Sequence, residues 1–217
     1  MPPDAEALCD HARRMVADGL AVGTSGNLSV RSGHVVAITP SAVAPDRLRP
    51  EDICLVHLDG TPAPGGAEGG GRPSTELPMH LAVYRRTGAR AVVHTHSPYA
   101  TAVSTVAAEL PPVHYLLAFL GGAVRVAPYA LPGSDALGER LVEALDGRAA
   151  ALLQNHGAAA VGASLEQAYA HAAILEWVAA LWARARLLGE PRILSPEEMA
   201  EAAAALQGYG GLGTAFG

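Results

Sequence analysis

Two periods of hydrophobic residues divide the chain into predicted helices and strands. Apolar residues three and four positions apart predict helices over residues 4–17, 77–84, 98–108, 134–145 and 164–189, and a last helix from Ser195. Alternating or short continuous apolar runs predict strands at residues 28–31, 34–39, 53–58, 91–96, 124–127 and 149–153. The pattern of the helix 164–189 leaves His171 on its surface or in an interface.

The length and two glycine-rich stretches define the domain organisation. With 217 residues the chain is long enough for one domain with a substantial core and too short for two. Residues 61–72 are rich in Gly and Pro and lack periodicity, which indicates a flexible surface loop inside this domain. A Gly-rich tail begins at about residue 208. We therefore predict a single domain over residues 1–217.

Two histidines separated by one residue end the predicted strand 91–96. Side chains alternate along a strand, so His94 and His96 point to the same face and can share a metal ion. Pro98 suits the first position of a helix capped by Ser97, so the strand ends directly after the histidines. The alternative interpretation is that one or both are ordinary, partly buried histidines.

A third histidine and a carboxylate occupy comparable places. His156 follows the predicted strand 149–153 and precedes Gly157, which allows close approach to a metal. Glu76 lies at the start of a predicted helix just before the strand with the paired histidines, although an acidic residue is common there because it favours the helix dipole. His80, one turn later on the same face, either orients Glu76 or has a structural role.

The loop of residues 23–27, Gly-Thr-Ser-Gly-Asn, has two open interpretations. Its glycines tolerate unusual backbone angles and expose amide groups, which together with hydroxyls can surround a phosphate group. A plain turn before the next strand explains the same composition.

Composition excludes several classes of function. All fifteen cationic residues are Arg, which excludes Schiff-base chemistry on a lysine; carbanion chemistry here needs a metal or another cofactor. The net charge of −6 is spread along the chain without a cation cluster, which argues against nucleic acid as a partner. No apolar run is long enough to span a membrane, and the N-terminus lacks the pattern of a secretion signal. Two distant cysteines, Cys9 and Cys54, indicate reduced thiols, so we expect a cytoplasmic protein.

Six segments together resemble one known superfamily. They are Gly23–Asn27, Ile38–Ser41, Pro73–Glu76, His94–His96, His114–Tyr115 with Gly121–Gly122, and Gln154–Gly157. In this order they are similar to motifs of the class II zinc sugar-phosphate aldolases, a superfamily that also contains the adducin head domains. The resemblance covers nearly the whole chain, including Tyr209–Gly210, and is greatest to members that act on fuculose phosphate.

The resemblance implies an α/β fold with three layers, α/β/α, around a central, mostly antiparallel sheet. It also implies a cyclic homotetramer with active sites between subunits. It matches His94, His96 and His156 to the ligands of one zinc ion per chain, and Glu76 to the acid/base residue. The side chains matched to the phosphate site are Thr24, Ser25, Asn27, Ser41, Ser74 and Thr75. Two tyrosines match groups at the aldehyde end of the substrate: Tyr115, reaching in from a neighbouring subunit, and Tyr209.

The implied activity is reversible cleavage of a ketose 1-phosphate of the fuculose 1-phosphate type. The products are dihydroxyacetone phosphate and a short aldehyde such as lactaldehyde, and zinc stabilises the enediolate. Alternatives in the superfamily are a decarboxylase or 4-epimerase of a phosphorylated sugar or sugar acid, and a non-catalytic adducin-like interaction domain. Related epimerases place Asp at the position of Glu76, so Glu favours the aldolase. Ala42 stands where these aldolases have Gly, which can alter the phosphate site.

Overall fold

One eight-stranded sheet, covered by helices, forms the centre of the fold. The computed structural model describes residues 4–66 and 71–206. The strands are β1 Asn27–Ser32, β2 Val35–Ile38, β3 Cys54–His57, β4 Ala91–Thr95, β5 Glu109–Leu110, β6 Val124–Ala127, β7 Ala150–Leu153 and β8 Gly157–Gly162. The helices are α1 Ala5–Ala17, α2 Leu77–Arg86, α3 Pro98–Val106, α4 Asp135–Ala144, α5 Leu165–Leu188 and α6 Pro196–Leu206, and Pro50–Asp52 and Tyr115–Leu120 are 3₁₀ helices.

The strands are hydrogen-bonded in the order β3-β2-β1-β4-β8-β7-β6-β5. Of the seven neighbouring pairs, β6 and β7 are parallel and the others are antiparallel. The strand with the paired histidines, β4, lies in the middle, between β1 and β8. The prediction of a mostly antiparallel central sheet is confirmed.

The alternation of side chains along the central strands divides the core into two layers. On β4, Ala91 and Val93 pack in one apolar cluster with residues of α1, α3 and α5. Val92, between them, packs in the other cluster with residues of α2 and α4. Helices therefore cover both faces of the sheet, as expected for a three-layer α/β/α fold.

Strand β8 was missing from the sequence-based prediction. Its core is Ala158, Ala159 and Ala160, a run without alternation and composed of a residue with low strand propensity. The small side chains allow α5 to lie close to the sheet: a Cβ on Gly162 would be 2.6 Å from the Ala168 amide nitrogen. The two-residue strand β5 was also missed.

Helix starts depend on local caps in some places and on distant groups in others. Ser134 and Ser164 accept hydrogen bonds from backbone amides in the first turns of α4 and α5. Ser97 makes no such bond at α3; instead the Glu176 carboxylate, on α5, accepts from the Tyr99 and Ala100 amides at 2.9 and 2.7 Å. Among the described helices, none is long and apolar enough to cross a membrane.

Part of the predicted surface loop continues the sheet edge. The Ala63 amide donates to the Leu55 carbonyl at 2.9 Å, and Pro62 forms a bridge with Val56. Residues 67–70 of this loop, and the Gly-rich tail, lie outside the described residues. Contrary to the sequence-based expectation, His171 is fully buried, with Nδ1 at 2.7 Å from the Val161 carbonyl oxygen.

Candidate metal centre

Three histidines meet where β4 ends and β7 turns into β8. His94 and His96 point to the same side because one residue separates them, and His156 lies in the tight turn between Leu153 and Gly157. The three ring centroids lie 4.8 to 4.9 Å apart, and Nε2 of His94 is 3.0 Å from Nε2 of His96. The structure therefore brings together the three residues that the sequence nominated as ligands.

The donor set of this cluster fits a metal cation. His94 Nδ1 lies 2.8 Å from the Ala158 carbonyl oxygen and donates its proton to it, so Nε2 is the ring nitrogen that is available to a metal. Burial, with the charges of His94 and His156, lowers the pKa of His96 to about 4, so this ring is neutral at neutral pH. Neutral imidazole nitrogens that face one another need a shared proton or a cation between them, and imidazole suits zinc.

Glu76 completes the cluster. It is the residue before α2 and is buried, with Oε2 2.9 Å from His94 Nε2 and Oε1 3.1 Å from His156 Nε2. One ligand atom from each of the four residues lies within 4.8 Å of the others. Burial opposes ionisation, but the charge of His94 and hydrogen bonds from His156, His94 and Asn27 hold the pKa of Glu76 well below its usual range. Glu76 is therefore an ionised carboxylate.

Two glycines make this close assembly of backbone possible. A Cβ on Gly157 would lie 2.2 Å from the Thr95 carbonyl oxygen, next to the two histidines of β4. A Cβ on Gly26 would lie 2.8 Å from the His94 carbonyl oxygen, and Gly26 has φ of +78°. Any side chain at either position would force the backbone around the candidate metal ligands to move.

The segments that the sequence nominated for phosphate lie side by side. The Ser41 amide donates to the Arg72 carbonyl at 2.9 Å, and the Ser74 amide donates to the Thr39 carbonyl at 3.1 Å. The hydroxyl of Thr39 in turn accepts from the Leu28 amide at 3.2 Å, directly after the Gly-Thr-Ser-Gly-Asn loop. Three segments that are distant in sequence therefore border one region beside Glu76.

The individual phosphate candidates differ in their present contacts. Thr24 and Thr75 are exposed, and Ser41 is partly buried. The Ser25 hydroxyl closes its own turn by donating to the Val22 carbonyl at 2.7 Å, and the Ser74 hydroxyl accepts from the Glu76 amide at 3.2 Å. The helix α2 begins at Leu77, with Glu76 at the N-cap position.

Asn27 faces Glu76. Its Nδ2 donates to Glu76 Oε2 at 3.0 Å, and its Oδ1 lies 2.5 Å from His80 Nε2. His80 Nδ1 is 2.6 Å from the Ser29 hydroxyl, which is 2.7 Å from the Tyr84 hydroxyl. Sequence reasoning missed Ser29 and Tyr84, although positions 76, 80 and 84 share one helix face and 27 and 29 share one strand face.

The two tyrosines nominated for the aldehyde end are placed differently. Tyr115 begins the 3₁₀ helix Tyr115–Leu120 and is 48% exposed, with its ring centroid 4.5 Å from that of His114. His114 also packs edge-on against Trp177, which is 51% exposed, so aromatic rings are clustered at this surface. Tyr209 lies outside the described residues.

Several known proteins are similar to this chain in fold and in sequence. A solved L-fuculose 1-phosphate aldolase superposes with a TM-score of 0.90 at 34% identity, covering 95% of this chain and 98% of that chain. The 5-deoxy-D-ribulose 1-phosphate aldolase of Bacillus thuringiensis serovar kurstaki is 39% identical over 208 residues, which are 94% of this chain and 96% of that protein. The 5-methylthioribulose-1-phosphate/5-deoxyribulose-1-phosphate aldolase of Rhodospirillum rubrum is 36% identical over 205 residues, covering 94% and 90%.

These likenesses define the class of protein, a carbon–carbon lyase of the aldolase type. Residues 6–183 match the family described as Class II Aldolase and Adducin N-terminal domain, and the chain belongs to this family. The expected superfamily, fold and enzyme class are thereby confirmed. The fuculose-type substrate is not singled out, because the names of these relatives include three different ketose phosphates.

Proposed function

We propose that this class II aldolase cleaves a ketose 1-phosphate between C3 and C4, giving dihydroxyacetone phosphate and a short aldehyde. The observation that carries the proposal is the ionised Glu76 carboxylate beside three converging imidazoles, with hydroxyl-bearing loops next to it. The names of the three relatives support the substrate class, because each is an aldolase of a ketulose phosphate.

His94, His96 and His156 would hold the metal, which we propose to be one zinc ion per chain. Three imidazole ligands leave a coordination position for substrate, the arrangement typical of catalytic zinc. When bound, the metal supplies Lewis-acid polarisation of the substrate carbonyl, which is the electron sink that a chain without lysine lacks.

Glu76 moves the proton. Its carboxylate is ionised and buried, so in the condensation direction it can accept a proton from the hydroxymethyl carbon of dihydroxyacetone phosphate. In the cleavage direction the C4 hydroxyl loses a proton as the C3–C4 bond breaks, and Glu76 passes a proton to the carbon that becomes the hydroxymethyl group. The hydrogen bond from Asn27 keeps Oε2 of this carboxylate in a fixed direction. Removal of a positioned general base costs typically 10²- to 10⁴-fold in rate.

The neighbouring loops bind the phosphate in this proposal. Thr24, Ser41 and Thr75 present hydroxyls from three adjacent segments, and backbone amides of the same segments add donors. Ser25 and Ser74 contribute by shaping their turns, since their hydroxyls already bond within the chain. We keep Asn27 in the phosphate site only for the amide proton that Glu76 leaves available.

The aldehyde end of the site involves a second copy of the chain. Tyr115 is half-exposed within an aromatic surface cluster, as expected for a side chain that reaches into a neighbouring subunit. We propose a homotetramer in which Tyr115, with Tyr209, handles the proton at the departing aldehyde.

The products identify the reaction. Purified, zinc-loaded protein is incubated with 5-deoxyribulose 1-phosphate, fuculose 1-phosphate and a phosphorylated sugar acid. Aldol cleavage of the first gives dihydroxyacetone phosphate with a two-carbon aldehyde and of the second a three-carbon aldehyde, whereas decarboxylation releases carbon dioxide and epimerisation leaves the carbon chain intact. If neither ketose phosphate yields dihydroxyacetone phosphate, the proposal is overturned.

The roles of metal and base are separated by one variant. Glu76→Gln keeps the three imidazoles and removes the base, so we expect about one zinc per chain and a rate loss of about 10²- to 10⁴-fold. Loss of zinc from Glu76→Gln would make Glu76 a required ligand, and full turnover would remove it from the mechanism.

A further inference from the structure

A continuous chain of buried polar side chains leads from the core to the Glu76 carboxylate. We propose that His80 is a positioning residue that holds Glu76 in its working orientation through Asn27. Ser29 and Tyr84, behind His80, fix the position of its ring proton. The inference rests on the proposed role of Glu76 as the acid/base group.

The donor and acceptor roles along this series of hydrogen bonds follow from the Glu76 carboxylate at one end of it. An ionised carboxylate only accepts, so Asn27 must present its NH₂ group to Glu76 and its carbonyl oxygen to His80. The carbonyl only accepts in turn, so His80 Nε2 must carry the proton.

The same logic continues beyond the imidazole. With its proton on Nε2, His80 accepts at Nδ1, and the Ser29 hydroxyl donates to it at 2.6 Å. The Ser29 oxygen then accepts from the Tyr84 hydroxyl at 2.7 Å. Every link has a single consistent direction.

Burial makes the direction of this chain stable. Ser29 and His80 are fully buried, Tyr84 is 1% exposed and Asn27 is 7% exposed, so water does not replace a broken link. Burial and the charge of His94 lower the pKa of His80 to about 3, and the ring is neutral. If the Asn27 amide rotated by half a turn, its carbonyl would face the carboxylate and its NH₂ group would face a donor.

The scaffold also suits a positioning role. Glu76, His80 and Tyr84 are spaced at four-residue intervals on one face at the start of and along α2. Asn27 and Ser29 lie on the facing side of β1, which is paired with β4 and its metal-ligand candidates. The series of hydrogen bonds therefore connects the proposed base to two rigid elements, α2 and β1, and not to a loop.

Four variants separate positioning from stability. His80→Leu removes the donor to Asn27, and His171→Leu makes the same change at another fully buried histidine, whose hydrogen bond goes to the Val161 carbonyl. His80→Gln retains an N–H near the position of Nε2, whereas His80→Asn is too short to reach Asn27.

In the zinc-loaded enzyme we expect His80→Leu to lower kcat about ten- to one-hundred-fold while zinc content and KM stay close to the wild type. His80→Gln should recover most of this loss and His80→Asn should not. His171→Leu should lower the melting temperature to a similar extent and keep kcat. Equal kcat values for His80→Leu and His171→Leu would overturn the proposal.

A second measurement tests the chain of hydrogen bonds without turnover. In ¹⁵N-histidine-labelled, zinc-loaded protein, the His80 signals are assigned by their loss in His80→Gln. We expect the neutral tautomer with the proton on Nε2. A proton on Nδ1, or on both nitrogens, overturns the inferred direction even if the enzyme is active, while a wild type that cleaves no ketose phosphate overturns the proposed function alone.

Discussion

Ala42 is a non-glycine residue in a left-handed backbone conformation, and its replacement by Gly should stabilise the protein. Its φ is +61°, and its side chain is exposed, so Ala42→Gly loses no buried contact. Left-handed backbone costs an L-residue about 1–2 kcal/mol, and the added freedom of Gly in the unfolded chain costs about 0.4–1 kcal/mol. The difference is a net gain of about 0.5–1 kcal/mol in the free energy of unfolding.

The assay is urea unfolding of metal-free protein at one fixed protein concentration, because association shifts the midpoint. Ala42→Gly should raise the midpoint with an unchanged m-value and raise the melting temperature by roughly 1–4 °C. Ala44→Gly, in the same loop without a positive φ, is the matched control and should lower both. If both substitutions destabilise the protein equally, the left-handed backbone at Ala42 does not cost the expected free energy.

Three further predictions concern the elements around the metal centre. Gly157→Ala places a Cβ against the backbone of β4, so it should lower the free energy of unfolding by about 1–3 kcal/mol and weaken zinc binding in a competition titration. Gly88→Ala, with open space around it, is the control and should change neither quantity. Glu176→Ala removes the carboxylate that caps α3 and should cost about 1–2 kcal/mol, measured by urea unfolding; a change below a few tenths would contradict the capping role. In the folded protein the pKa values of His80 and His96 are about 3 and 4, below the ordinary 6.5, so on acidification the unfolded chain binds protons first. The free energy of unfolding of metal-free protein should therefore be at its full value above about pH 6.5 and fall as the pH drops toward 4. A free energy of unfolding that does not change in that pH range would be inconsistent with neutral buried rings.

Local patterns predicted most of the elements, and composition explains the exceptions. The strand β4 and the helix α5 are identified by apolar periodicity and by their flanking Pro, Ser and Gly residues. The strand β8 is an alanine run, whose periodicity is uninformative and whose strand state is imposed by pairing with β4 and β7 on either side. The parallel pairing of β6 with β7 is likewise a property of the assembled sheet.

The candidate site was predictable where residue type and strand position coincide. His94, His96 and His156 stand at strand ends, and their convergence follows once those strands are neighbours of β8. The bond between Asn27 and Glu76 joins residues 49 positions apart, and the Glu176 cap on α3 joins residues 76 to 77 positions apart. Contacts of this length depend on tertiary packing, which no local pattern contains.

The alanines of β8 act as a mechanical spacer between sheet and helix. Ala158 and Ala160 lie in the same apolar cluster as the inner face of α5, so their small size sets the distance of that helix from the sheet. The same helix carries Glu176, whose carboxylate holds the start of α3, and α3 begins two residues after His96. A larger side chain at position 160 would therefore displace α5 and, through Glu176, the start of α3 next to the metal-ligand candidate His96. The geometry of the candidate metal centre thus depends in part on residues that do not contact it.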